Sequence, residues 1–217
     1  MQSPKISILG VGYEACEFFD KLTNYNNISV NDVNFVPLAL DKEDLYILGK
    51  DPSTIFIDNL DNFSKIILKH FSDTDIVFIV SDCCVNLFIA SEISSILKRN
   101  GGITIGAISA PWGCTNYCLR NIHRREVFFD LCAYNLQKVF EFLTSLIFKS
   151  GLVNLDFDDI KNFLKDSSVA IYSTGYFGGY NKFSNATLQV ITNISTRIKN
   201  IKNLLVNIIT NSDVSLV

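Results

Sequence analysis

Apolar residues fall along this chain in short unbroken runs, separated by stretches with helical spacing. Lys5–Leu9 is rich in isoleucine and closed by Gly10-Val11-Gly12, and Glu14–Leu22 then reads as a helix. That is a strand, glycine turn and helix in succession. Val33–Leu40 predicts a second strand ending at Asp41, with Pro37 inside it favouring an edge position or a bulge. Tyr46–Asp58 reads as irregular and Asn62–Phe71 as a helix. Ile76–Val80 is apolar at every position, the pattern of a strand buried on both faces. Leu87–Arg99 predicts an amphipathic helix stopped by Asn100-Gly101-Gly102, and Ile103–Ser109 a fourth strand ended by Pro111-Trp112-Gly113. Cys114–Glu126 is a polar loop or short helix, and Val127–Cys132 a fifth strand. Leu136–Lys149 places Val139, Phe140, Leu143, Leu146 and Ile147 on one helical face.

Alternation of strand and helix is the mark of an α/β fold, a parallel sheet covered by helices on both faces. This Rossmann-like pattern fills residues 1–150. After Gly151 it changes. Phe157–Leu164 is a short helix, Val169–Ser173 a strand, Ser184–Lys202 a long helix with a serine cap, and Leu204–Thr210 another strand. Val214–Val217 begins one more. Residues 151–217 thus read as a partial α+β domain.

Composition narrows the class. The chain has 217 residues, 48% hydrophobic and 19% charged. That excludes a disordered chain, which needs low hydrophobicity and high net charge. A net charge of −3 disfavours a cationic nucleic-acid binder, which needs a basic face to release counterions. No run approaches the roughly 18–20 apolar residues of a membrane span, and the N-terminus lacks the pattern of a signal peptide. The expectation is a cytoplasmic protein whose six cysteines are reduced. Cys114 and Cys118, near His123, have no second pair to complete a zinc site, so they read as buried thiols.

Two segments carry chemistry. The first, Gly10-Val11-Gly12-Tyr13-Glu14-Ala15, fits G-x-G-x-x-[G/A] between strand and helix. Glycine there lets backbone approach a pyrophosphate at the positive end of a helix. Against it, Glu14 puts a carboxylate beside the phosphates, and Asp41 lies 31 positions after Gly10, where a ribose-binding acid stands about 20 further on. A tight turn between strand and helix explains the same glycines. The second segment is Gly151-Leu152-Val153-Asn154-Leu155-Asp156-Phe157-Asp158-Asp159-Ile160. Read locally, it is a helix start capped by Asn154 or Asp156, with acids in the first turn.

This second segment resembles the synergy loop of FtsZ, the bacterial relative of tubulin, with the pattern G-[LI]-[IV]-N-[LV]-D-F-x-D-[VI]. The rest of the chain falls in the same order. Lys5–Leu22 resembles the family's first strand, phosphate loop and helix, and Asp75–Pro111 the strand–helix–strand around its signature loop. Ser168–Gly175 and Leu204–Val217 resemble strands of its C-terminal domain. The resemblance implies a Rossmann-like parallel sheet of the tubulin/FtsZ GTPase type followed by a partial C-terminal domain. It implies a site shared along a filament, where the synergy loop enters the next subunit's nucleotide pocket and orients the water that attacks the γ-phosphate. Asn154, Asp156 and Asp159 hold the polar positions of that loop. Gly10, Gly12, Tyr13, Ala15 and Asp41 are the matching candidates for a GTP or GDP contact, and no metal site is evident.

The nucleotide half departs from the family. Where a run of glycines and threonines is due, the chain reads Ser81-Asp82-Cys83-Cys84-Val85-Asn86-Leu87-Phe88, with no glycine. Side chains at every position block close backbone approach, and Asp82 adds unfavourable charge. No Gly-rich γ-phosphate loop lies between Leu40 and Asp75, and Thr115 and Leu119 replace the family's glutamate and arginine. Between Asn135 and Gly151 there is room for one helix of about 22 Å. These departures imply weak or absent GTP hydrolysis by the chain alone, with a second copy or a full-length FtsZ-like subunit as partner. A dinucleotide-dependent oxidoreductase using Gly10, Gly12 and Ala15 is the alternative; His70 and His123 have no evident catalytic partner.

Overall fold

A computed structural model describes residues 4–12, 15, 33–49, 52–58, 60–81, 84–108, 127–129, 133–148, 156–165, 169–170, 172–195 and 204–210. In chain order these form β1 (Ile6–Val11), β2 (Val33–Ala39), α1 (Lys42–Leu48), β3 (Ile55–Phe56), a 3-10 turn (Leu60–Asn62), α2 (Phe63–Phe71) and β4 (Ile76–Ser81). There follow α3 (Cys84–Arg99), β5 (Ile103–Ile108), β6 (Val127–Phe129), α4 (Ala133–Phe148), α5 (Phe157–Lys165), β7 (Val169–Ala170) and α6 (Lys182–Ile194).

The strands make one seven-stranded sheet in the order β3-β2-β1-β4-β5-β6-β7, every pair parallel. Successive side chains of a strand point to opposite faces, and β4 shows what this does at the centre of a sheet. Ile76, Phe78 and Val80 enter one apolar cluster, while Val77 and Ile79 enter another on the opposite face. The first cluster also takes Ile6 and Ile8 of β1, Phe140 and Leu143 of α4, and Ile160 and Leu164 of α5. Phe140 meets Phe78 edge-on at 5.3 Å between ring centroids. The second cluster is closed by Ile67 and Phe71 of α2 and by Ala90, Ile93, Ile96 and Leu97 of α3. The α/β architecture, with helices on both faces of a parallel sheet, is as the sequence pattern implies.

Local details explain the connections. Gly101 ends α3 at φ +86, and the Gly102 amide donates to Leu97 O at 3.1 Å, so the Asn-Gly-Gly stop acts as a left-handed helix cap. Pro37 lies in an internal strand, opposite Gly10 of β1. It is tolerated because the ladder with β3 begins only at Leu38, leaving Pro37 edge-like on that side.

Four expectations need correction. The segment read as irregular, Tyr46–Asp58, holds the end of α1, Tyr46–Leu48, and all of β3. None of α1's residues is buried, so no apolar stripe announces it, and β3 is only two residues long. The helix expected from Leu87 begins at Cys84. The one expected from Ser184 begins at Lys182, behind Asn181 in the left-handed region at φ +57. Residues 204–210 form no regular strand; Leu205 packs on the first cluster, while Leu204, Val206 and Ile208 point out and lie 72%, 61% and 69% exposed. Of the helix expected over Glu14–Leu22, Ala15 is described and is helical; the strand expected at Val214–Val217 lies outside the described residues.

Elements beyond residue 151 join the sheet layer as well as extending past it. Ile160 and Leu164 of α5 are in the first cluster, and β7 pairs with β6. Residues 172–178 run along α6: Tyr176 N donates to Gln189 Oε1 at 2.9 Å, and a Cβ at Gly175 would collide with the Ala186 carbonyl. This unit meets the sheet layer through Tyr172, 5.6 Å from the Phe142 ring, and Asn207 Nδ2, 3.4 Å from Ser145 Oγ.

Candidate functional site

Parallel strands all present their carboxyl ends to the same side, where ligands of open α/β sheets bind. At that end β1 runs on to Val11, so Gly10 lies within the strand, between Pro37 and Val80. Gly12 makes the turn, at φ +86, and its amide donates to Leu38 O at 3.2 Å. A side chain is strained at that φ, which accounts for the second glycine. Ala15 is fully buried in the first cluster, beside Ile6, Ile8 and Phe78. Its methyl-sized side chain is thus packed into the core of the sheet layer. Tyr13 lies outside the described residues.

Asp41 has a local task. Its Oδ1 accepts the Glu43 and Asp44 amides at 2.9 and 2.8 Å, capping α1, while Asp44 Oδ2 accepts the Leu40 amide at 3.1 Å. The two acids satisfy donors on either side of the helix start reciprocally.

Ser81 ends β4 beside Val11 and Ile108. It is 1% exposed, and its Oγ has no hydrogen-bond partner among the described residues. Only residues 82 and 83 stand between β4 and α3, so the segment Cys84–Phe88 is already helix. A two-residue connection offers few backbone amides to surround a phosphate, and Phe88 is 72% exposed instead of filling the space.

The acidic segment lies elsewhere. Asp156 precedes α5, and its carbonyl accepts the Asp159 and Ile160 amides at 3.1 and 3.3 Å. Asp158 and Asp159 occupy the first turn, and all three carboxylates are exposed. Asp156 Oδ1 also accepts the Asp158 amide at 3.4 Å, so the helix start capped by Asp156 is present as foreseen from sequence; Asn154 lies outside the described residues. Lys161 fixes where this helix sits. Its Nζ is 2.9 Å from Asp75 Oδ1, and Asp75 stands just before β4, with Oδ2 accepting the Lys5 amide at 3.0 Å before β1. The helix is thus tied to the end of the sheet where strands begin. Burial acts to raise the Asp75 pKa, but the Lys5 amide and the Lys161 ammonium outweigh it and hold the carboxyl below its usual value.

Ser81 is the last of the six residues of β4, about 20 Å of strand from Asp75. The structure accordingly brings Gly10, Gly12, Ala15 and Ser81 together at one end and sets Asp156 and Asp159 near the other. Sequence reasoning missed Asp75 and Lys161. Their contact spans 86 residues, and only the Phe157–Lys161 spacing hints at it, the ammonium lying 4.5 Å from the Phe157 ring centroid. Among the described residues no group of three histidine, cysteine, aspartate or glutamate side chains is placed to hold a metal, and no helix is long and apolar enough to cross a membrane.

Comparison with known proteins bears on the fold. No family model matches the chain. The cell division protein FtsZ of Porphyromonas gingivalis (strain ATCC BAA-308 / W83) is 40% identical over 50 residues, a stretch of 23% of this chain and 11% of that relative. The chain thus spans only about a tenth of that relative in the matched stretch. An empty FtsZ dimer from M. jannaschii superposes with a TM-score of 0.66 at 16% identity, over 88% of this chain and 69% of that one. The W319Y mutant of M. jannaschii FtsZ gives 0.63 at 17% identity, over 88% and 71%. The chain is therefore divergent in sequence and has the FtsZ/tubulin-type fold.

Proposed function

We propose that this chain is an FtsZ-like protein of the cytoplasm, tied to cell division or a related filament, whose own GTP pocket has degenerated. It associates with a second copy or with a full-length FtsZ-like subunit, offering Asn154, Asp156 and Asp159 to that neighbour's nucleotide. One observation carries the reading: the acidic turn and the glycine turn sit at opposite ends of one sheet. They meet only when subunits stack head to tail. Phosphoryl transfer asks little of a protein beyond an oriented nucleophile and balanced charge. Exposed carboxylates on a helix held against the sheet can orient a water at a neighbour's phosphate.

The nucleotide half supports the degenerate part of the reading. The β4–α3 connection is two residues long and free of glycine, and Asp41 is occupied as a helix cap. Gly10 and Gly12 alone make too small a cradle for a triphosphate. Titration of the purified chain with a fluorescent guanine nucleotide tests this: no saturable binding in the micromolar range is expected, and micromolar binding with cooperative turnover would contradict it.

The turn at Gly12 and the buried Ala15 also fit a dinucleotide fingerprint, in which the third small residue allows close helix–strand packing. Calorimetry with NAD and NADP separates that reading. Heat of binding from either dinucleotide, with none from GTP, favours an oxidoreductase.

A further inference from the structure

The start of α5 is held by two kinds of contact. Ile160 and Leu164, one turn apart and each 1% exposed, seat the helix in the apolar cluster under the sheet. Apolar contact is non-directional, so this pair resists lifting of the helix more than rolling about its axis. Lys161 supplies the directional contact. Its Nζ meets Asp75 Oδ1 at 2.9 Å, and Asp75 is itself fixed by the Lys5 amide at 3.0 Å on its other oxygen. One carboxylate thereby joins the starts of β1 and β4 to α5. At 3.6 residues per turn each position takes about 100° of the helix circumference. A roll of a few tens of degrees therefore swings the carboxylate of Asp159, two residues before Lys161, by several ångströms. Misplacement of about 1 Å is enough to degrade a positioned catalytic group.

We propose that Lys161 is a positioning residue: through Asp75 it sets the rotation of α5, and with it the direction in which Asp156 and Asp159 face a neighbouring subunit. This rests on the docking reading given above. The role is indirect, exerted through the ion pair with Asp75.

The test uses the full chain mixed with FtsZ filaments and GTP, reading co-sedimentation and phosphate release, with thermal melting of each variant alongside. Lys161→Met is expected to weaken association at least tenfold while the chain still melts cooperatively; Lys161→Arg, which keeps a charged donor, restores it. The exchange of both charges, Lys161→Asp with Asp75→Lys, recovers part of the loss, which guards against a single variant that fails to fold. Asp156→Ala with Asp159→Ala marks the docking reading separately. If that pair abolishes association while Lys161→Met binds as the wild type does, docking stands and the positioning role is overturned. If the aspartate pair changes nothing, the docking reading falls and the positioning role with it.

Discussion

Lys161 Nζ and Asp75 Oδ1 lie 2.9 Å apart although 86 residues separate them in sequence, and both side chains are only partly exposed. Their pairing gives stability a pH dependence of definite sign. The Asp75 pKa is lowered from 3.8 because the Lys5 amide and Lys161 outweigh the burial that acts to raise it. A carboxylate depressed on folding adds stability that is fully present above its unfolded pKa and is lost as the pH falls through the folded one. Asp75→Asn is expected to cost about 1 kcal/mol at neutral pH, a figure already reduced for solvent screening. That cost should vanish well below pH 3.8. Urea unfolding of wild type and variant at both pH values checks it, and an equal loss at the two would contradict the assignment.

Asp41 separates a structural from a ligand role. As the N-cap of α1 it accepts two amides, so Asp41→Ala should cost about 1 kcal/mol. Asp41→Asn, which keeps a capping oxygen, should cost far less. Urea denaturation measures both, and calorimetry with NAD or GTP should show no change in either variant.

Ser81 carries a buried hydroxyl that has no hydrogen-bond partner among the described residues. Leaving such a group unpaired costs about 1–3 kcal/mol, so Ser81→Ala is expected to stabilise the chain by up to about 1 kcal/mol once lost contacts are counted. A rise in melting temperature supports a pocket with no occupant. A fall, together with weaker nucleotide binding, would mean that the hydroxyl serves a ligand.

Gly175 lets residues 172–178 lie against α6, where a Cβ would collide with the Ala186 carbonyl. Gly175→Ala should force that contact apart at a cost of about 1–3 kcal/mol. Hydrogen exchange should then speed up in α6 and leave β1 and β4 protected, because the sheet layer keeps its own core. Uniform acceleration throughout would show that the two units unfold as one.

Much of the fold was legible because the sheet core is written in unbroken apolar runs. Ile76–Val80 and Ile103–Ile108 have no polar face to confuse the reading except Thr104, and its hydroxyl is matched by Ser94 at 2.6 Å. The Asn100-Gly101-Gly102 stop and the Gly12 turn were legible because only glycine sits easily at those positive φ values. What escaped lacked a periodic signal. The helix α1 buries nothing, although Asp41 and Asp44 stand at capping spacing. Residues 204–210 carry the apolar content of a strand, but pairing is decided by a neighbouring strand, and none is beside them among the described residues. At the site, Gly10, Gly12 and Ala15 are adjacent in sequence and could be read as a unit. The tie between Asp75 and Lys161 could not, since tertiary packing alone brings them together.

On the proposed function, the acidic turn of α5 docks on an FtsZ-like neighbour while the chain's own pocket stays idle. Sedimenting FtsZ filaments of the source organism with the wild-type chain, and with the Asp156→Ala/Asp159→Ala variant, tests it most directly. The wild type should pellet with the filaments and alter their GTP turnover, and the double variant should stay in the supernatant. Equal pelleting of both, or of neither, would contradict the account.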